Sequence, residues 1–277
     1  IPKRDWSSDV CSSDLLTGDG ANDNFGGSVA SAGDVNGDGK DDVIVGAYCD
    51  DDGGADSGSV FIFYGGVTSG AATTKANVKL NGDSTGDIFG FRVSSAGDVN
   101  GDGKDDVIVG ASGDDDGGAD SGTAFIFYGG VTSGAATTKA NVKLTGDATD
   151  DCFGGSVSSA GDINGDGFDD VIVGAYQDDD GGADSGSAFI FYGGVTSGAA
   201  TTKANIKLTG DAASDNFGRF VSSAGDVNGD GKADIIVGAW QDDDGGSNSG
   251  STFIFTLGPS GKMLQYNGDS ASDSFGY

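Results

Sequence analysis

The feature that most constrains this chain is an exact internal period. The string GDVNGDG or GDINGDG begins at Gly33, Gly97, Gly161 and Gly225, always 64 residues after the previous copy. A Phe-Gly pair precedes each copy at Phe25, Phe89, Phe153 and Phe217, and a fifth pair follows at Phe275. A fixed period of this length means that one supersecondary unit is repeated and that its neighbours share a core. Within a unit, four segments read as short strands: 89–99, the apolar run 106–111, the aromatic and β-branched run 123–128, and the weaker 141–144. Gly/Asp/Ser loops join them. All the acidic residues are Asp, which favours turns over helices. Four short consecutive strands, repeated radially, predict an all-β chain of four-stranded antiparallel β-propeller blades. A solenoid is the alternative, but it does not need four strands per coil.

Residues 1–15 break the period. There the chain reads IPKRDWSSDVCSSDL, where the next unit has GGVTSGAATTKANVK. Residues 5–15 resemble a translated sequencing-library adapter, so 1–15 is set aside as non-native and Trp6 and Cys11 are given no role. The remaining 16–277 divides into units at about 25–80, 89–144, 153–208 and 217–266, with the start of a fifth at 267–277. Four units are expected to be part of a larger ring.

The strongest chemical signal is the loop Asp34-Val-Asn36-Gly-Asp38-Gly39-Lys40-Asp41-Asp42. Oxygen-bearing side chains stand at loop positions 1, 3, 5 and 9, with Gly at 6. Ca²⁺ takes 6–8 oxygen ligands, and alternate residues of a tight loop can turn inward together. The expected ligands are Asp34, Asn36, Asp38 and Asp42; Asp98, Asn100, Asp102 and Asp106; Asp162, Asn164, Asp166 and Asp170; and Asp226, Asn228, Asp230 and Asp234. The backbone carbonyls of Lys40, Lys104, Phe168 and Lys232 complete each set, giving about four Ca²⁺, one per unit. An EF-hand or dockerin loop begins in the same way but needs an acid at position 12. Here that position is Val45, Val109, Val173 or Val237, inside an apolar run.

Phe-Gly, then GDVNGDGKDDVIVGA, then a strand such as SVFIFYGG, resembles the FG-GAP repeat of integrin alpha-subunit propellers and their bacterial relatives. The resemblance implies one blade per repeat, calcium in the hairpin between the first two strands, and a parent ring of about seven blades. It also implies an extracellular, secreted or surface protein working in adhesion or ligand binding without catalysis. A structural spacer, or an accessory domain of a secreted enzyme, are the alternative readings. The GAP position reads Gly46-Ala47-Tyr48, without the proline.

By the same resemblance, the 2–3 and 4–1 loops form the ligand rim. The 2–3 loops at 50–58, 114–122, 178–186 and 242–250 carry DDDGG, and the 4–1 loops add acids such as Asp83 and Asp87. These acids serve solubility or a second cation. Where sister units differ, a ligand patch is expected from Phe91, Arg92, Tyr176, Arg219, Phe220 and Trp240. The partner would be an unidentified protein or carbohydrate.

The formal net charge of −30 argues against nucleic acid and against charge-driven binding to an anionic membrane. The absence of His removes His-based triads and His-ligated zinc. No apolar run is long enough to insert in a membrane. Cys49 and Cys152 fall at different phases of the repeat and are read as sporadic.

Overall fold

The structure is a computed structural model that describes residues 16–256 and 262–268. The adapter-like segment and all but residues 267–268 of the expected fifth unit lie outside the described residues.

Each repeat folds as one four-stranded antiparallel sheet, a β-propeller blade, with strands in sequence order. Blade 1 holds Phe25–Gly33, Asp42–Ala47, Ser59–Phe63 and Val78–Asn81. Blade 2 holds Arg92–Gly97, Asp106–Ala111, Thr123–Phe127 and Val142–Thr145. Blade 3 holds Phe153–Gly161, Asp170–Ala175, Ser187–Phe191 and Ile206–Thr209. Blade 4 holds Phe217–Gly225, Asp234–Ala239, Ser251–Thr256 and Lys262–Asn267. In blade 2 the first strand starts at Arg92 rather than at Phe89.

The strands are buried on both faces because blades sandwich one another. Ile44, Val60, Ile62 and Leu80 of blade 1 pack against Val107, Val109, Phe125 and Phe127 of blade 2 in a single cluster. The cluster between blades 2 and 3 repeats this, as does the one between blades 3 and 4. The neighbour supplies the burial. Val107 is fully buried, whereas its counterpart Val43, on the outer face of blade 1, is 40% exposed. Burying one such side chain is worth roughly 1.5–3 kcal/mol. Each Phe-Gly phenylalanine stands edge-on to its own blade's third strand, as Phe153 does to Phe189 at 5.4 Å and to Phe191 at 6.2 Å.

Two further joints tie blades together. The long link between the third and fourth strands contains a one-turn helix, Ala72–Lys75, Ala136–Lys139 or Ala200–Lys203, which strand periodicity did not reveal. Just before it, Gly134–Ala135 pairs in parallel with Leu80 and Asn81 of the preceding blade, and Gly198–Ala199 pairs with Leu144 and Thr145. The second joint is a close backbone approach. A Cβ on Gly110 would overlap the carbonyl oxygen of Gly154, which itself has φ +84°. Gly46 and Gly174 meet Gly90 and Gly218 in the same way.

Replacing Gly110 by Ala should therefore push blades 2 and 3 apart. The expected cost is about 1–3 kcal/mol, the range for overpacking a well-packed interface. Urea denaturation followed by circular dichroism reads it as a lowered midpoint at unchanged slope.

Candidate metal centres on two rims

The Asp loops sit in the hairpins between first and second strands, all on one rim. Each winds around its first aspartate. In blade 1, Gly37, Asp38 and Gly39 donate backbone N–H to the Asp34 carboxylate at 2.8, 2.9 and 2.7 Å. The same three bonds close on Asp98, Asp162 and Asp226. The N–H of Gly39, and then those of Asp38 and Gly37, hold the Asp34 carboxyl below its ordinary range; Asp226 is held down in the same way, first by Gly231.

The ninth-position aspartate is the opposite case. Asp42, Asp106, Asp170 and Asp234 are essentially buried. Asp42 accepts N–H from Val35 at 3.1 Å and from Gly65 at 2.8 Å, which ties the loop to the third strand's exit on the same rim. Burial pushes Asp106 up to about 7 and Asp170 up to about 6, and it raises Asp42. Between first and ninth positions lie the third-position amides. Asn36 reaches Asp42 through its Nδ2 at 3.3 Å, and Asn100 reaches Asp102 at 3.1 Å. The fifth-position carboxylate accepts the N–H of residue 7, as Asp38 does from Lys40 at 3.1 Å.

This donor set fits a hard cation. Every donor is oxygen. An ionised carboxylate has about four lone-pair sites, so Asp34 and Asp42 retain acceptor capacity after their backbone bonds. The buried ninth carboxylate lacks a lysine or arginine ion pair in all four loops among the described residues. The loop carboxylates do not, however, close to within 4.8 Å of one another as three-residue clusters.

The clusters that do close lie on the opposite rim: Asp19, Asp23 and Asp50, and Asp211, Asp215 and Asp242. They join the 4–1 loop to the following 2–3 loop, as backbone bonds from Cys49 to Asp23 and from Gln241 to Asp215 also do, whereas bonds from Gly86 to Ala55 and from Ile88 to Asp56 tie the 4–1 loop to the preceding 2–3 loop. Sequence reading had singled out these loops as acidic but missed their counter-ion. Lys79 ion-pairs with Asp19, Asp50 and Asp52 at 3.0, 3.2 and 2.6 Å, its ammonium 4.7 Å from the Phe61 ring centre. Lys143 and Lys207 do the same in blades 2 and 3, with Asp114 and Asp116 and with Asp178 and Asp180. Blade 4 has Gln265 at this position, donating to Asp244 at 2.7 Å. Burial of the Lys79 ammonium would lower its proton affinity, but the carboxylates of Asp52, Asp19 and Asp50 outweigh that and raise it. Burial, then the facing carboxylates of Asp114, Asp178 and Asp242, pushes Asp87 and Asp151 up to about 7 and Asp215 up to about 6.

The same rim carries the sequence-predicted patch, which falls into two groups. Tyr48 meets Phe91 edge-on at 5.6 Å, and the Arg92 guanidinium lies 4.5 Å from the Phe91 ring centre. The Arg219 guanidinium lies 4.2 Å over Tyr176 and 5.8 Å from Phe220. Burial, then the neighbouring Cys152, pushes the Tyr176 hydroxyl up to about 12, while Arg219 and Arg92 pull the other way. Trp240 donates its indole N–H to Asn216 at 3.1 Å. The structure adds a packing reason for the variation between blades. A Cβ at Gly27 or Gly155 would lie 2.7 or 2.8 Å from the ring of Tyr48 or Tyr176. Blade 2 carries Phe91 at the glycine position and the small Ser112 in place of the tyrosine.

A family model described as the FG-GAP repeat matches residues 25–63, 89–127, 153–191 and 217–255. The chain belongs to the FG-GAP repeat family. Its relatives include integrin alpha-PS2 of Drosophila melanogaster, 36% identical over 174 residues, which is 59% of this chain and 12% of that protein. Integrin alpha pat-2 of Caenorhabditis briggsae is 30% identical over 236 residues, 78% of this chain and 18% of that protein. Human integrin alpha-6 is 32% identical over 179 residues, 64% of this chain and 15% of that protein. The chain thus spans less than a fifth of the length of each of these three relatives. No helix among the described residues is long and apolar enough to cross a membrane.

The raised carboxyls set a direction for pH. A group whose folded pKa lies above its unfolded value of 3.8 binds protons more tightly when folded. Its contribution is fully present below that unfolded value and is lost as pH rises through about 6 to 7 for Asp215, Asp87 and Asp151. In chelator, the melting temperature should therefore rise as pH falls from about 8 to about 5. The Asp151→Asn variant should show a shallower rise.

Proposed function

We propose that this FG-GAP chain is a calcium-stabilised, non-catalytic β-propeller segment of an extracellular protein, secreted or held at a bacterial cell surface, acting in adhesion or ligand binding. The observation that carries the reading is the fourfold hairpin loop. In each copy a first carboxylate that gathers three loop N–H groups and a buried ninth carboxylate belong to one loop, and the ninth has no lysine or arginine ion pair among the described residues. Ca²⁺ would be held by the first, third, fifth and ninth side chains and the seventh carbonyl of each loop. It would supply the positive charge that offsets burial of the ninth carboxylate. Extracellular modules commonly bind calcium at roughly 10⁻⁴–10⁻³ M, so occupancy would track the outside compartment.

The integrin alpha relatives support an adhesive role at family level. The ligand would meet the opposite rim, where Phe91, Arg92, Tyr176, Arg219, Phe220 and Trp240 present the two described arginines and their aromatic neighbours amid acidic loops. Arg219 adds a specific point: its buried Nη1 has no hydrogen-bond partner, held over the Tyr176 ring instead. The ligand is read as a protein or carbohydrate.

Calorimetric Ca²⁺ titration should find one site per loop, and calcium at ten times its dissociation constant should add about 1.4 kcal/mol to stability by mass action. A folded chain that neither binds calcium nor melts higher in it would remove the calcium reading. For the ligand face, the immobilised chain would be probed with a glycan array and with purified matrix proteins, in calcium. The Arg92→Ser/Arg219→Ser variant should lose any capture that the parent shows; undiminished capture places the ligand elsewhere.

A further inference from the structure

We propose that the eighth residue of each Asp loop is a positioning residue for the calcium site of the preceding blade. The four sites would then be unequal, with the third the weaker for want of this group. The inference rests on the calcium reading above. The eighth residues are Asp41, Asp105, Asp169 and Ala233, and none belongs to the expected ligand set of its own loop.

The geometry repeats at each blade boundary. Asp34 is the first ligand of loop 1. Its backbone N–H donates to the Asp105 carboxylate of blade 2 at 2.7 Å, and its carbonyl accepts the Asp105 N–H at 3.3 Å. Asp98 of loop 2 is gripped in the same way by Asp169 of blade 3, at 2.9 and 3.2 Å. Gly33 and Gly97 leave room for the carboxylate: a Cβ at either would overlap it. The next residue is pinned too, since Gly130 and Gly194 donate to the carbonyls of Val35 and Val99 at 2.8 Å. At the third boundary the backbone half of the clamp survives, with the Ala233 N–H donating to the Asp162 carbonyl at 3.3 Å. The side-chain half is missing, because alanine has no acceptor for the Asp162 N–H. Blade 1 holds the reciprocal observation: Asp41, with no preceding loop beside it among the described residues, is exposed, whereas Asp105 and Asp169 are half-buried.

The consequence for binding follows from pre-organisation. The first aspartate is the hub on which three loop N–H groups close, so fixing its backbone from both sides orders the loop before the ion arrives. The clamp also places a second carboxylate beside the site, which favours a cation. Coupling of this kind is reciprocal: an ion in loop 1 would tighten the boundary between blades 1 and 2.

The test is a Ca²⁺ titration of the full chain followed by ¹⁵N NMR at the sixth-position glycines Gly39, Gly103, Gly167 and Gly231, which report the loops separately. In the parent chain, Gly39 and Gly103 should saturate at lower calcium than Gly167. The Asp105→Ala variant should weaken the Gly39 transition roughly tenfold and leave Gly231 unmoved. Asp105→Asn, which keeps an oxygen for the Asp34 N–H, should recover part of the loss. Ala233→Asp should move the Gly167 transition to several-fold lower calcium, a gain that no misfolding can imitate. If Asp105→Ala shifts all four glycines together, or Ala233→Asp leaves Gly167 in place, the clamp is wrong while the calcium reading stands. If none of the four glycines responds to calcium, both fall.

Discussion

Everything in this molecule depends on one blade being unable to bury itself. A four-stranded sheet of alternating Val, Ile and Phe has two apolar faces, and its own strands cover neither in full. Phe61, Ile62 and Phe63 are all fully buried, which is possible only if the sheet lies between two layers. The next blade covers Ile62 on one face, while Phe25 and the Ala72–Lys75 link cover Phe61 and Phe63 on the other. The requirement then dictates the details. The second strand's glycine must let the neighbour's Phe-Gly backbone pass at Gly46, Gly110 and Gly174. The outer strand must be held by the link from the following blade.

Stacking concentrates charge. The strands are consumed by the core, so the acid that gives this chain a net charge of −30 is forced onto two rims. The rims manage it differently. On one, backbone N–H groups gather on a partly exposed carboxylate while the same loop holds a buried one, an arrangement suited to a bound cation. On the other, three blades enlist a lysine over a phenylalanine ring, and several buried carboxyls move toward the protonated form. The two arginines of the described chain sit on this second rim, each stacked on an aromatic ring.

Much of this was legible in the sequence, and the reason is redundancy. Four near-copies expose the loop spacing, the strand runs and the Phe-Gly punctuation without any need for distant contacts. What stayed hidden depends on which residues face each other across a blade boundary. Lys79 was read as part of a weak strand, and nothing in its neighbourhood pointed to Asp50 and Asp52, 29 and 27 residues away. Phe91 and Arg92 were read as a ligand patch, and they remain candidates for one. Yet the exchange of Gly27 and Tyr48 for Phe91 and Ser112 is also a volume trade that only the folded sheet displays. The one-turn helices escaped because four residues of ATTK carry no period.

Redundancy also hides what it repeats. Asp41, Asp105 and Asp169 look like one more acid in an acidic loop, and a residue that is the same in three copies offers no contrast. Ala233 supplies the contrast, but only once Asp105 and Asp169 are seen to reach out of their own loops, 71 residues back along the chain, to the first aspartate of another. The repeat is therefore better described by its boundaries than by its blades. A unit drawn from Phe-Gly to Phe-Gly cuts through the core cluster, the parallel clasp and the loop clamp alike, and since the clamp joins residues 71 apart, no 64-residue unit contains it wherever its ends are drawn. Each Asp loop is on that view a joint property of two blades. Its proposed ligands would come from the first, and the fixing of its first aspartate from the second.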